Sequence, residues 1–193
     1  MASEYELVQL SRRGDLDAFA ELVRRYQDEL VNFVAKFTGS PDDAEDIAQE
    51  AFLKAYTRLE SFESRAKFKT WLFRIATNHC IDRARKSARR PAHCSLDQAR
   101  EDSRPLVETL AAEREPLDEL RTKELQLEVR KAIVQLPEKL RAVLILHDLQ
   151  GMQYAEIAQV LGCPVGTVKS RLHNARAQLK ERLKAYVNVG ESL

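Results

Sequence analysis

Between Ala155 and Lys180 the chain runs AEIAQVLGCPVGTVKSRLHNARAQLK, and its second half gathers Thr167, Lys169, Ser170, Arg171, His173, Asn174 and Arg176 within three helical turns. These side chains are hydrogen-bond donors of the kinds that read base edges in a DNA major groove, Arg and Lys suiting guanine and Asn suiting adenine. A second set lies in SFESRAKFKTWLFRIATNHCIDRARKSARR, where Phe62, Phe68, Trp71 and Phe73 are interleaved with cations. Aromatic faces stack on unpaired bases while cations follow phosphates, a chemistry suited to single-stranded or opened DNA. Each set also has a plainer reading. A basic helix face is often only solvated, and at least one of Trp71 and Phe73 is expected in a core.

The net charge of +1 conceals strong segregation. Nine basic residues stand against Asp82 alone between Arg65 and Arg90, and six against Glu181 between Pro164 and Tyr186. The balancing acids sit in PDDAEDIAQE and between Asp97 and Glu124. A cationic footprint laid down twice points to a polyanion.

The elements that must position these side chains are helical. Leu16, Phe19, Leu22, Val23, Tyr26, Leu30, Phe33, Val34 and Phe37 step by three and four, which predicts a core helix. Ser40 as N-cap, Pro41 at the first helical position and Asp43 three residues after the cap predict a second helix start. Its stripe is Ile47, Ala48, Ala51, Phe52, Ala55, Tyr56 and Leu59. A third helix is predicted from about Phe68 to Lys86, with Trp71, Leu72, Ile75 and Ile81 inward. From Ser87 to about Glu115 no apolar stripe survives more than one turn, and two prolines occur with a third just beyond at Pro116, so a linker is expected.

Helical spacing resumes from Leu120 to Val134. LPEKLRAVLILHDLQG then predicts a helix with Pro137 at its start and Gly151 closing the turn beyond it. Tyr154 to Leu161 has the length of one short helix, Gly162 supplies a left-handed corner, and the next helix runs from Pro164 onward through Arg176. Ile157, Ala158, Leu161, Val168, Leu172, Ala175 and Leu179 form its inner face. With no alternating strand pattern, the fold class is all-α: two helical domains joined by a flexible linker, the C-terminal one containing a helix-turn-helix. The boundaries are 1–90, 91–119 and 120–193.

At 193 residues, 44% hydrophobic and 32% charged, the composition is that of a folded protein. No run of eighteen apolar residues occurs, and the N-terminus lacks the basic-then-apolar order of a secretory signal, so a cytoplasmic protein is expected. Three widely spaced cysteines argue for free thiols. His79 with Cys80 and His93 with Cys94 invite a metal, but adjacent ligand pairs with twelve residues between them do not match zinc spacing, and no metal or cofactor is expected. Cys80 is placed in the core, Cys94 at the surface, and Cys163 capping or packed at the start of the helix that follows Gly162. HExxH and Walker signatures are absent, which disfavours a zinc hydrolase or nuclease. A phosphorylatable receiver, which a response-regulator activator would need, has no strands to build it.

DAEDIAQEAFLKAYTRLESF, FKTWLFRIATN and LPEKLRAVLILHDLQGMQYAEIAQVLGCPVGTVKSRLHNAR, in that order, resemble the extracytoplasmic-function sigma factors of bacterial RNA polymerase. The resemblance spans both halves and leaves out only the linker and the extreme ends. It implies a promoter-recognition subunit that performs no bond chemistry and takes no small-molecule substrate. Asp46, Gln49, Glu50 and Phe52 would face the polymerase clamp. Phe62, Lys67, Phe68 and Asn78, supported by Trp71 and Arg74, would capture the non-template strand of the minus-ten element. Thr167, Lys169, Ser170, Arg171, His173, Asn174, Arg176 and His147 would meet the minus-thirty-five duplex, while the same domain docks on the polymerase flap. The family is commonly held inactive by an anti-sigma factor, often membrane-anchored.

Overall fold

The computed structural model describes residues 2–63, 67–89 and 116–187. Helix α1 (Glu4–Arg12) begins in a capping box: Ser3 Oγ accepts from the Glu6 N–H, and the Glu6 carboxylate accepts from the Ser3 N–H at 2.8 Å. Helix α2 (Leu16–Thr38) is capped by Asp15 and stops at Gly39, whose φ of 77° is the left-handed conformation that ends a helix cheaply only in glycine. Helix α3 (Pro41–Thr57) starts as its sequence predicts, with Ser40 Oγ accepting from the Asp43 N–H. A 3₁₀ turn at Leu59–Ser61 leads towards α4 (Phe68–Arg89).

The remaining helices are α5 (Pro116–Val134), α6 (Glu138–Leu144), α7 (Tyr154–Leu161) and α8 (Val165–Val187). Between α6 and α7 the helix widens into a π segment at Ile145–Leu149. Gly162, at φ 59°, makes the corner between α7 and α8. No strand occurs among the described residues.

Three expectations need correction. The sequence pattern puts residues 116–119 in the linker, yet α5 already begins at Pro116, whose locked φ and missing N–H suit a first helical position. Residues 91–115 lie outside the described residues. Helix α1 lies outside the helices that apolar spacing predicts, although Ser3 and Glu6 carry its start signal. The helix expected to continue to the turn at Gly151 instead breaks at Ile145 into the π segment.

The apolar stripes fold inward as spaced. Leu22, Leu30, Phe33, Val34 and Phe37 of α2 are buried, while Leu16, at the start of that stripe, is 65% exposed. Ile47, Ala48, Ala51, Phe52 and Ala55 of α3 join them, as do Phe68, Leu72, Phe73, Ala76 and Cys80 of α4. Each fully buried Phe or Leu contributes about 1.5–3 kcal/mol.

This core does not stop at the linker. The same apolar cluster continues through Leu136, Leu146, Ile157, Val168 and Leu172, so the two helical groups expected on a flexible tether are packed against each other. Helix α7 lies on α4. At the seam, Arg141 Nη1 donates to the Phe37 carbonyl at 2.7 Å, Nη2 donates to the carbonyls of Leu136 and Val134, and the guanidinium stands 5.0 Å from the Phe37 ring centre. A Cβ at Gly39 would lie 2.9 Å from Val134 Cγ2. Lys67–Glu156 and Arg85–Glu138 ion pairs, at 2.9 and 3.1 Å, close the edges.

Candidate nucleic-acid interfaces

Helix α8 presents Lys169, Ser170, His173, Asn174 and Arg176 to solvent, because Val168, Leu172 and Ala175 turn the opposite side into the core. Thr167 and Arg171 are half-buried. Arg171 leans back towards Cys163, with Nη1 3.6 Å from Sγ, so it is less free than the spacing implied.

His147 is brought beside this face by the π segment. Its ring stacks on Tyr154 at 4.8 Å and 15°, and the Lys169 ammonium stands 5.7 Å from the centre of the same Tyr154 ring. On the other side, the Asp148 carboxylate accepts from Arg176, Nε to Oδ2 at 3.0 Å and Nη2 to Oδ1 at 2.5 Å, and lies 2.6 Å from His147 Nδ1. The Arg176 guanidinium holds the Asp148 carboxyl below its ordinary range. Lys169, Tyr154, His147 and Arg176 thus form one row from three elements. Sequence spacing found its basic members but missed Tyr154 and Asp148, which become neighbours only through the turn between α6 and α7.

The second set divides differently. Phe62 and Phe68 are buried, at 5% and 0% exposure, and Trp71 is half-buried against both, with ring centres 5.1 and 6.0 Å away. The expectation that Phe62 and Phe68 offer open faces to bases is corrected here: their rings pack on each other and on Trp71, where apolar burial outweighs exposure. Phe73 is also core. Lys67, Arg74 and Asn78 remain exposed on or just before α4.

Helix α1 fixes both flanks of this segment. Arg12 Nε donates to the Leu59 carbonyl at 3.1 Å, its guanidinium also donates to the Phe62 carbonyl, and Glu4 Oε1 accepts from the Phe68 N–H at 2.9 Å. The Tyr26 hydroxyl donates to the same Glu4 carboxylate, and burial together with that carboxylate pushes its phenol pKa upward. Residues 64–66 lie outside the described residues.

Along α2 and α3 an open groove of ≈ 680 Å³ is lined by residues including Val23, Asp28, Val31, Gln49 and Phe52. Asp46, Gln49 and Glu50 are exposed, whereas Phe52 is 8% exposed and reaches only the groove wall. Glu50 Oε2 lies 3.3 Å from His79 Nε2 and 3.6 Å from Lys54 Nζ, and burial and the Lys54 charge depress the His79 pKa.

Cys80 is buried, which pushes its thiol pKa up to about 12. Cys163 is half-buried. His93 and Cys94 lie outside the described residues. No group of three or more potential metal ligands occurs among the described residues.

The family model for Sigma-70 region 2 matches residues 22–90, and that for Sigma-70, region 4 matches residues 126–179. The chain is 37% identical to the ECF RNA polymerase sigma factor SigW of Bacillus subtilis (strain 168), over 90% of this chain and 92% of that one. Among solved structures it is similar to CnrH in complex with the cytosolic domain of CnrY, with a TM-score of 0.68 and 25% identity over 94% of this chain and 97% of that one. It is also similar to the sigma factor RpoE, solved in complex with the anti-sigma factor NepR from Bartonella quintana. There the TM-score is 0.63 and the identity 26%, over 88% of this chain and 98% of that one.

Proposed function

The chain belongs to the extracytoplasmic-function sigma factors of bacterial RNA polymerase, and on that footing we propose how its two helical groups divide the work of starting transcription. As a sigma factor it binds core RNA polymerase, directs it to promoters and is regulated by an anti-sigma factor, the class of partner that NepR represents for RpoE.

Helices α5–α8 read the duplex minus-thirty-five element. The observation that carries this is the row Lys169, Tyr154, His147 and Arg176, flanked by exposed His173 and Asn174, which sets base-reading and phosphate-seeking groups on one side of α8. Helices α1–α4 handle the minus-ten element. Lys67, Arg74 and Asn78 meet the backbone and bases of the opened strand, while Phe62, Phe68 and Trp71 form the rigid floor beneath them. Bases leaving the stack regain hydrogen bonds to these polar groups and contact with half-buried Trp71, which Phe62 and Phe68 hold from beneath, offsetting an unstacking cost of a few kcal/mol per base.

The α2–α3 groove, which Gln49 lines, receives the polymerase clamp together with exposed Asp46 and Glu50 of α3, and the second group docks on the flap. The factor acts in the cytoplasm and performs no bond chemistry of its own. No helix among the described residues is long and apolar enough to cross a membrane. Its regulon belongs with stress or envelope responses.

A promoter-library transcription assay with this chain and core polymerase tests the reading. Initiation at defined sites is expected, with losses on Lys67→Glu for opening and on Arg171→Glu for upstream recognition. Core enzyme that starts at no defined site with this chain present overturns it.

A further inference from the structure

Asp148 belongs to none of the elements whose spacing announced DNA reading, yet it is the carboxylate on which two readers converge. An ionised carboxylate only accepts hydrogen bonds. The 2.6 Å contact to His147 Nδ1 therefore requires that Nδ1 carry the proton. Arg176 Nη2 also lies 3.4 Å from Nδ1, but a guanidinium only donates, and that longer approach cannot compete with the two shorter bonds that Arg176 makes to Asp148. With Nδ1–H committed to Asp148 and one ring face against Tyr154, Nε2 is the ring nitrogen left for a ligand, and it accepts through its lone pair when the ring carries its single proton on Nδ1.

We propose that Asp148 is a positioning residue that sets which base the duplex reader accepts, by fixing His147 as an acceptor at Nε2 and by holding Arg176 in a bidentate pair.

The inference rests on the reading of α5–α8 as the duplex-binding group. In a major groove, amino donors are presented only by adenine N6 and cytosine N4, while guanine presents acceptors there. His147 held in this tautomer therefore selects an amino-bearing base at one position and rejects guanine. Arg176, with its charge met by Asp148, is kept at a fixed place along the row and withheld from loose phosphate pairing. An acid beside cations at a DNA surface weakens overall attraction, and in exchange it confers discrimination.

The test compares wild type with Asp148→Ala, Asp148→Asn, His147→Ala and the Asp148→Ala/His147→Ala pair. Each full-length chain is assembled with core polymerase and challenged with a library randomised across the upstream element, over a range of salt. In wild type, one position is expected to favour adenine or cytosine over guanine by about tenfold, the worth of one well-placed hydrogen bond. Asp148→Ala is expected to erase that preference, because His147 then presents either tautomer. It should also steepen the dependence of log affinity on log salt by about one, as the freed Arg176 takes a phosphate.

Asp148→Asn keeps an acceptor for His147 but loses the charge, so it should retain part of the preference while showing the steeper salt dependence. In the pair, Asp148→Ala should add nothing to the loss already caused by His147→Ala. If either Asp148 variant lowers binding to all sequences equally while the base profile stays that of wild type, Asp148 is only a strut and the proposal is overturned. A wild-type chain with no upstream base preference removes the duplex reading itself, and the proposal with it.

Discussion

All seven phenylalanines and the single tryptophan of this chain lie in α1–α4 or in the turn before α4, whereas α5–α8 contain no aromatic residue beyond Tyr154 and Tyr186. The first group is a wall of rings: Phe33 sits 5.4 Å from Phe73, and Phe62, Phe68 and Trp71 close on one another. The second is packed with aliphatic side chains and carries its specific chemistry outside, in hydrogen bonds and stacked contacts around Asp148 and Tyr154. Opened DNA calls for a firm apolar floor that bases can meet, while paired DNA calls for polar groups held at fixed spacing. On the division of labour proposed above, the difference in interior composition follows the difference in task.

The comparison is most directly broken at Phe68. Phe68→Ala is expected to destabilise the first group by about 3–5 kcal/mol, the usual cost of emptying an aromatic core site, measured by denaturant unfolding. Phe68→Leu, which keeps most of the volume, should recover most of that loss and also restore transcription. If it restores stability but not transcription, Phe68 is a base contact and the floor reading is wrong.

Next in size is Arg141→Ala at the seam, which leaves the carbonyls of Phe37, Val134 and Leu136 without this donor. A loss of about 2–4 kcal/mol is expected, accompanied by separation of the two groups in small-angle scattering. Gly39→Ala should cost about 1–2 kcal/mol, because it combines a left-handed backbone with a close approach to Val134. Two unfolding transitions in place of one in either variant would show that the seam couples the groups.

The smallest effect is a pH dependence to which two side chains of the first helical group contribute. Burial raises the Cys80 pKa from its ordinary 9.0 to about 12. The stability that comes from keeping this thiol neutral is intact below pH 9 and is lost as pH rises towards 12. Tyr26, whose phenol pKa is also raised, adds to the same alkaline decline. Cys80→Ala should flatten part of that slope between pH 9 and 11, read from unfolding midpoints. An unchanged slope would place the alkaline loss elsewhere.

Periodicity revealed the stripes of α2, α3 and α8 because an apolar side chain repeated every three or four residues can face only one core. It revealed the helix-turn-helix because Gly162 marks a turn that any other residue would strain. It could not reveal that Phe62 and Phe68 turn inward, since an aromatic beside lysines has the same sequence whether it faces a base or another ring. Asp148 was hidden for a related reason. Its partners are one and twenty-eight residues away, joined only by a π segment that no residue type announces. Helix α1 was legible in Ser3 and Glu6, and its use became visible only when Arg12 and Glu4 were found gripping the flanks of the segment before α4.

The seam around Arg141 bears on reach. The centres of a minus-ten and a minus-thirty-five element stand about 25 base pairs, or about 85 Å, apart on B-form DNA, while Lys67 and Glu156 hold the two groups in direct contact. A folded-up chain is too short a caliper for that span, so straddling a promoter requires prising Arg141 from the end of α2. The work of prising weakens apparent grip on the polymerase in proportion to how tightly the jaws are shut. Loosening the seam at Gly39 should therefore leave a less stable protein that nonetheless seizes core enzyme more readily.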